Sequence, residues 1–265
     1  MHRIALLLCG NLSGAALEQN GGYTDIYARY LAATVPPAVE YAVDAFDVVS
    51  DLAYPNEDQY SSMILTGSAA NAYDDAEWII TLVAFIQRIA STKPHIKLIG
   101  ICFGHQIIAR ALGGSCVPNG GRWECGPTPV QLTDLGKQLF GAPDTLTIQQ
   151  MHRDHVPTLP PSFHLLASSE LSPVQGMIRF SPASAPPTSS SPENTPLRKI
   201  HILTTQFHPE FTTPITTAIV AQRVAAGAIP VPTALDFDRR TALDTQPDAK
   251  ERVGKAVWGV ITGEI

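Results

Sequence analysis

Cys102 lies where the sequence changes from the pattern of a strand to that of a helix. The run Lys97–Ile101 is short, apolar and rich in β-branched residues, which predicts a buried strand. A helical pattern follows over Gln106–Leu112, and glycines at positions 100 and 104 permit a sharp turn between the two. Such a turn lifts its central side chain out of the sheet and directs helix N–H groups towards it. A thiol here is expected to be a stronger nucleophile than a free cysteine. The flanking glycines disfavour the alternative of an inert structural cysteine.

A second pair of residues, His208 and Glu210 in the segment QFHPEF, could supply the base that a cysteine nucleophile needs. The pair follows the apolar run HILTTQF, and Pro209 between the two residues disfavours a helix. A turn after a late strand can therefore carry both side chains to the sheet edge where Cys102 is expected. In this arrangement His208 accepts the thiol proton and returns it to a leaving amine, while Glu210 orients the imidazole.

Strand and helix patterns alternate through the first half of the chain and predict the elements that position Cys102. The predicted strands are Ile4–Cys9, Val39–Ala45, Ser62–Thr66 and Lys97–Ile101, and the predicted helices are 22–34, 76–90 and 106–112. This alternation predicts an α/β fold with a mostly parallel central sheet flanked by helices. Chemistry in such sheets lies at the carboxyl ends of the strands, where Gly67 and Cys102 are both expected.

The second half of the chain has a different pattern. Short β-like runs at 128–132, 145–149, 164–168, 174–180 and 199–205 predict an antiparallel extension of the sheet. The Pro/Ser-rich segment 181–196 is expected to be a flexible surface loop. A helix is predicted over 214–226, an irregular stretch over 230–247 and an amphipathic helix over 249–261. We therefore expect a single domain over 1–265, with a C-terminal extension at 230–265 that ends in a helix.

The composition excludes several classes of protein. The chain has 265 residues, of which 45% are hydrophobic, and this is enough for one large α/β domain. Its net charge is −6 and its 18 basic residues are scattered, so nucleic-acid binding is not expected. No apolar segment approaches the roughly 20 residues that cross a membrane. The four cysteines lack CxxC spacing and are expected to be reduced thiols in a cytoplasmic protein. We expect no metal or other cofactor, because four further histidines lack ligand-like spacing: His95, His155, His164 and His201.

The segments GICFGHQ and QFHPEF together resemble the motifs of the class I glutamine amidotransferase domain, over about residues 4–211. The resemblance implies a flavodoxin-like version of the fold and a catalytic triad of Cys102, His208 and Glu210. It also implies that the backbone N–H groups of Gly67 and Phe103 form an oxyanion hole. No cofactor is implied.

The same resemblance implies residues that bind substrate. Gln106 is expected to hold the amino-acid end of a glutamyl group. The stretch MHRDHV is similar to the family's S-H-x-D-x-V segment, which makes His152 and Asp154 candidates for the same role. Phe207 replaces the small residue that the family often has before His-Pro-Glu, and it is expected to narrow the pocket.

Two charged residues in the segment GGRWECG, Arg122 and Glu124, remain open to two interpretations. In the family the loop after the nucleophile helix runs past the active site, so either residue could contact substrate. The alternative is a structural turn. Loops 67–78, 118–128 and 152–160 are expected to set the shape of the pocket.

The leading hypothesis is a cysteine-dependent hydrolase or transferase that attacks a γ-glutamyl amide through a thioester. The segments Gly67–Ile79, GICFGHQ and HRDHV look most like stand-alone family members of the γ-glutamyl peptidase type and their fungal relatives, and no Walker loop is present. One alternative is a glutaminase subunit that supplies ammonia to a separate synthetase. Another is a catalytically silent binding or regulatory protein. The sequence leaves open the leaving amine, any unusual acyl donor or acceptor, and the oligomeric state.

Overall fold

A computed structural model describes residues 1–181, 196–244 and 248–264, and within these ranges the fold is organised around a nine-stranded sheet. The strands in chain order are β1 (His2–Leu8), β2 (Tyr41–Asp47), β3 (Ser62–Leu65), β4 (Lys97–Ile101), β5 (Val117–Pro118), β6 (Glu124–Leu132), β7 (Thr145–His152), β8 (Asp154–His155), β9 (His164–Ser168), β10 (Gly176–Phe180) and β11 (Ile200–Thr205). The helices are α1 (Gly14–Asn20), α2 (Tyr23–Thr34), α3 (Glu77–Thr92), α4 (Phe103–Ala111), α5 (Asp134–Phe140), α6 (Thr213–Ala225), α7 (Val231–Leu243) and α8 (Ala249–Thr262).

The order of the strands in the large sheet is β2-β1-β3-β4-β11-β10-β9-β6-β7. The first five strands are parallel, and the pairings from β11 to β7 are antiparallel. This confirms the predicted mostly parallel sheet with an antiparallel extension. Because β3, β4 and β11 are parallel neighbours, the segments that follow them emerge at the same edge of the sheet. These are the segments that carry Gly67, Cys102 and His208.

The sheet separates two apolar layers. Along β1, Ile4 and Leu6 belong to one layer and Ala5 and Leu7 to the other, as the two-residue period of a strand requires. Helices α2, α5, α6 and α8 cover the first face, and α3 and α4 cover the second. Since both faces are covered, the inner strands β1, β3 and β4 are mostly apolar and show little alternation in sequence.

The last helix belongs to the core. Trp258 on α8 is fully buried, and its ring meets Tyr41 edge to face with centroids 4.9 Å apart. Its indole N–H donates to the carbonyl of Leu31 at 3.3 Å, which ties α8 to α2. The structure thus has a helix where the sequence predicts one, and this helix closes one face of the sheet.

The expectation of an irregular stretch over 230–247 was wrong, because α7 occupies most of it. Pro230 is the N-cap and Pro232 lies in the first turn, where a missing N–H costs nothing. The helix is difficult to detect because Phe237 is its one buried residue. Arg240 donates to two backbone carbonyls of β6, which holds the polar helix in place. The two seven-residue helices α1 and α5 were not predicted either, and residues 182–195 of the predicted loop lie outside the described residues.

The glycines around Cys102 allow α4 to approach the sheet closely. A Cβ atom on Gly104 would lie 2.4 Å from the carbonyl oxygen of Leu65, and one on Gly100 would lie 2.5 Å from the carbonyl oxygen of Gly104. Both contacts are with backbone, which cannot move aside without displacing a strand or a helix. The start of α4 therefore lies directly against β3 and β4.

We expect Gly104→Ala to destabilise the fold, because overpacking against backbone costs roughly 1–3 kcal/mol and exceeds the ~1 kcal/mol that alanine gains over glycine in a helix. Gly176→Ala is the matched control, since a Cβ there meets its nearest atom at an ordinary 3.4 Å. Urea unfolding followed by circular dichroism measures both. Equal unfolding midpoints for the two variants would show that α4 has room to move.

Candidate active site

Cys102 connects β4 to α4 in a strained backbone conformation. Its φ is 54° and its ψ is −103°, a region that residues with a side chain rarely adopt. The backbone N–H donates to the carbonyl of Thr205 in β11 at 2.8 Å, which fixes the turn to the neighbouring strand. The sharp strand-to-helix turn is thus present, and α4 begins at Phe103, three residues earlier than the helical pattern indicates.

His208 and Glu210 form a buried hydrogen-bonded pair after β11. The Nδ1–H of His208 donates to Oε1 of Glu210 at 2.7 Å, and both side chains are almost completely buried. The ring of Phe211 stacks on the imidazole with centroids 4.0 Å apart and planes 8° apart. The backbone N–H of His208 donates to the carbonyl of Gln149, which anchors the turn to β7. The imidazole therefore has one orientation.

The Nε2 atom of the same imidazole is buried and has no hydrogen-bond partner within the described residues, while Sγ of Cys102 lies 3.9 Å from the carbonyl oxygen of Met151. Burial by itself lowers the pKa of His208, but the Glu210 carboxylate and the Cys102 side chain outweigh this and raise the pKa to about 10. Nδ1 is occupied by Glu210, so Nε2 is the nitrogen left for Cys102. A protonated imidazole beside a cysteine favours the thiolate and can later donate a proton.

The two groups expected to form an oxyanion hole lie next to Cys102. A Cβ on Gly67 would lie 3.0 Å from Cε1 of His208 and 3.7 Å from Cβ of Cys102, so the backbone of this glycine borders the thiol. Phe103 is the first residue of α4, and its N–H therefore has no acceptor within the helix. The N–H of Gly104 donates to the carbonyl of Thr66 at 3.2 Å and holds the two segments together.

Tyr23 is a site residue that the sequence did not reveal. A Cβ on Gly67 would lie 2.9 Å from the Tyr23 hydroxyl, which places this hydroxyl beside the expected oxyanion hole. Burial raises the pKa of Tyr23 well above its ordinary value, and the negative charge of Glu210 raises it further. The hydroxyl therefore stays protonated and can donate. In the sequence, Tyr23 belongs to the apolar face of a predicted helix, and this pattern indicates burial but no role in a site.

Two cavities meet at Cys102. The first, of about 260 Å³, contains His208 and is called the His208 cavity; its wall includes Leu12, Ser13, Tyr23, Ile219 and Gln222. The second, of about 200 Å³, contains Asp154 and is called the Asp154 cavity; its wall includes Gln106, Trp123, His152 and Arg153. Cys102, Met151 and Arg223 border both cavities. A substrate can thus extend from the thiol in two directions.

The three predicted substrate-binding residues come together in the Asp154 cavity. Nε2 of Gln106 donates to the backbone carbonyl of Asp154 at 2.9 Å, and Nδ1 of His152 donates to the same carbonyl at 3.0 Å. The Asp154 carboxylate is almost buried, and its Oδ1 has no hydrogen-bond partner in the described part of the chain. Burial raises the pKa of Asp154, and Arg153, whose Nε lies 3.9 Å from Oδ1, opposes this. The Asp154 carboxylate is therefore incompletely satisfied by the protein at the wall of this cavity.

Glu124 lies behind His152 and lines neither cavity. Its Oε2 is 3.2 Å from Nε2 of His152, and it accepts hydrogen bonds from Ser169 at 2.7 Å and Gln175 at 2.9 Å. Burial acts to raise the pKa of Glu124, but the contacts with His152 and Ser169 outweigh it and lower the pKa. Glu124 therefore orients His152, and its position does not support direct contact with substrate.

Two further expectations concern the shape of the pocket. Arg122 donates to the backbone and side chain of Asn119 and lines neither cavity, which fits the structural turn. Phe207 is fully buried and its ring packs against Phe140 at 6.3 Å. It lines neither cavity, so the expectation that it narrows the pocket was wrong.

Comparison with known proteins gives the family. A family model described as "Glutamine amidotransferase class-I" matches residues 20–184. A glutamine amidotransferase-like protein of Schizosaccharomyces pombe is 33% identical over 230 residues, which are 83% of this chain and 83% of that protein. The chain belongs to the class-I glutamine amidotransferase family.

Two other comparisons refine this assignment. Gamma-glutamyl peptidase 3 of Arabidopsis thaliana is 36% identical over 141 residues, covering 50% of this chain and 55% of that protein. The crystal structure of a glutamine amido transferase from Methylobacillus flagellatus superposes with a TM-score of 0.67 at 19% identity, over 99% of this chain and 94% of that one. The second likeness shows the fold. No helix of the described residues has the length and apolar character to cross a bilayer.

The four thiols should differ in reactivity. All are buried and unpaired. Burial raises the pKa of Cys9 and of Cys125 to about 12, and it also raises the pKa of Cys116. We expect one equivalent of iodoacetamide at pH 7 to alkylate Cys102 alone, as measured by peptide mass spectrometry. Alkylation spread over the other three cysteines would contradict the assignment of Cys102 as the reactive thiol.

Glu210→Gln should slow this alkylation at pH 7 by tenfold or more. Without the carboxylate, burial is opposed by less negative charge, and the pKa of His208 falls. The imidazolium, which favours the thiolate, is then lost at a lower pH than in the wild type. Alkylation rates measured between pH 5 and 10 should show that the midpoint of the curve of rate against pH moves to a higher pH. Glu77→Gln, an exposed change on α3, is the control. An unchanged pH profile in Glu210→Gln would rule out this electrostatic role.

Proposed function

We propose that this protein is a hydrolase of γ-glutamyl amides that uses Cys102 as nucleophile, His208 as general base and acid, and Glu210 to orient the imidazole. The observation that supports it most is the buried His208–Glu210 hydrogen bond of 2.7 Å beside a cysteine held at φ 54°. This combination leaves Nε2 of His208 available to the thiol, so that the imidazole can accept and hold the thiol proton. The likeness to gamma-glutamyl peptidase 3 supports the choice of a γ-glutamyl group as the acyl part of the substrate.

The reaction begins with attack of the Cys102 thiolate on the γ-carbonyl carbon. The oxygen becomes negatively charged and accepts hydrogen bonds from the N–H groups of Gly67 and Phe103, since donors of this kind stabilise the developing charge. When the C–N bond breaks, His208 gives its proton to the amine and a thioester remains. His208 then takes a proton from water, the hydroxide attacks the thioester, and glutamate and the thiol are released.

The Asp154 cavity fits the amino-acid end of the glutamyl group. That end carries an ammonium and a carboxylate, and the cavity offers the carboxylate of Asp154 and the guanidinium of Arg153, with a second guanidinium, that of Arg223, at the border with the His208 cavity. Gln106 and His152 both donate to the Asp154 carbonyl, so they hold this acidic residue in place and act on substrate through it. The four unpaired thiols fit a reducing compartment, and we place the enzyme in the cytoplasm.

The test is turnover by the purified chain alone. Glutamate release from glutamine and from γ-glutamylalanine, measured by mass spectrometry, should be detectable for the wild type and reduced by at least a thousandfold in Cys102→Ala, since the covalent route is lost. Cys116→Ala is the control, because that thiol is equally buried but lines neither cavity. A thioester at Cys102 should be trapped by acid quenching.

Two outcomes would change the assignment. Turnover of neither substrate by a chain whose Cys102 is still alkylated would reject hydrolysis by this protein alone. A chain that becomes a glutaminase only when a synthetase is added would instead be an ammonia-supplying subunit.

A further inference from the structure

Arg223 has an unusual place on the border of both cavities. It lies in the last turn of α6, half-buried, with its guanidinium 5.0 Å from the centre of the Trp123 ring. Within the described ranges its side chain makes no ion pair or hydrogen bond, whereas Arg110 and Arg240 each pair with a carboxylate at 2.6–2.7 Å. A cation near a helix C-terminus is mildly favourable. That effect does not require a half-buried guanidinium that lies over an indole ring and borders both cavities.

The position of His208 indicates which cavity receives the leaving amine. In the proposed reaction the imidazole protonates this amine, so the amine must lie on the imidazole side of Cys102. His208 lines the first cavity and does not line the Asp154 cavity. The glutamyl end then occupies the Asp154 cavity, and the leaving group extends into the His208 cavity.

The His208 cavity is larger than ammonia requires. Its volume of about 260 Å³ is several times the roughly 30 Å³ that one water-sized molecule occupies in the liquid. Leu12 and Ile219 contribute apolar wall, while Nε2 of Gln222 donates to Oγ of Ser13 at 2.9 Å and joins α6 to the start of α1. A leaving amine with a carbon skeleton fits this space better than ammonia does.

We propose that Arg223 is a specificity-determining residue that pairs with a carboxylate on the leaving amine, so that γ-glutamyl amino acids and peptides with a free carboxylate are preferred over glutamine. The inference rests on the proposed γ-glutamyl hydrolysis. A guanidinium binds a carboxylate through two parallel N–H···O bonds. The Arg223 guanidinium lies over the Trp123 ring, which belongs to the wall of the Asp154 cavity, while its own residue borders both cavities. Among the described residues its side chain has no ion-pair or hydrogen-bond partner that a substrate carboxylate would displace.

Three substrates separate the possible roles of Arg223: γ-glutamylalanine, γ-glutamylalaninamide, which lacks only the carboxylate charge, and glutamine, whose leaving group is ammonia. The wild type should show a kcat/KM at least tenfold higher for the free acid than for the other two. Arg223→Gln should lower kcat/KM for the free acid by about ten- to a hundredfold, the range of a hydrogen bond to a charged group, mainly through KM. Its kcat/KM values for the amide and for glutamine should stay within about threefold of the wild type.

Two further variants sharpen the test. Arg223→Lys should recover part of the loss on the free acid, because an ammonium keeps the charge without the paired geometry. Arg198→Gln removes the same charge from an exposed turn just before β11, at the sheet edge opposite the cavities, and should behave as the wild type. Alkylation of Cys102 at an unchanged rate in Arg223→Gln shows that the site is intact.

The outcomes are distinguishable. An equal loss on all three substrates would overturn the inference and assign Arg223 to the glutamyl half or to the structure of the site. A wild type that hydrolyses glutamine as well as the free acid would also overturn it, while the proposed function would stand. No turnover of any substrate would reject the proposed function, and this inference with it.

Discussion

The close approach of α4 to strands β3 and β4 fixes the candidate site. Gly104 leaves no room for a Cβ, and its N–H donates to the Thr66 carbonyl, so the helix start cannot slide along the sheet. Cys102 must then bridge strand and helix within one residue, which forces its positive φ. The strain is held by contacts on both sides, as at other functional turns.

A second constraint is electrostatic. Glu210 is buried with one oxygen bound to His208, and within the described residues its Oε2 has no hydrogen-bond partner. Burial and this negative charge together raise the pKa of Tyr23, Tyr27 and Tyr30, so all three hydroxyls stay neutral around it. A proton on His208 is therefore the compensation that the buried carboxylate needs. In the proposed reaction, the pair holds that proton until the departing amine takes it.

The sequence predicts those parts of the structure that depend on neighbours along the chain. Glycines at 100 and 104 predict the turn at Cys102. The segment QFHPEF after a late apolar run predicts His208 and Glu210 as its partners, and the resemblance to the family implies the same pair, which the fold brings to one sheet edge. Helix α7 was missed because one buried side chain, Phe237, leaves no periodic stripe. The role proposed for Arg223 has no signal in the sequence for a different reason. It depends on Trp123 and on two cavities formed by segments that are far apart along the chain.

The burial of Trp258 has a consequence for how the protein folds. Helix α8 packs against α2 and α5 and against strands from both halves of the sheet. Its hydrogen bond to Leu31 joins residues 227 positions apart in sequence, and its ring contact with Tyr41 spans a similar distance. Contacts between residues so far apart slow folding, and they leave apolar surface exposed until they form. The docking of α8 should therefore be a late step, and the face of the sheet that it covers should be among the last to become protected.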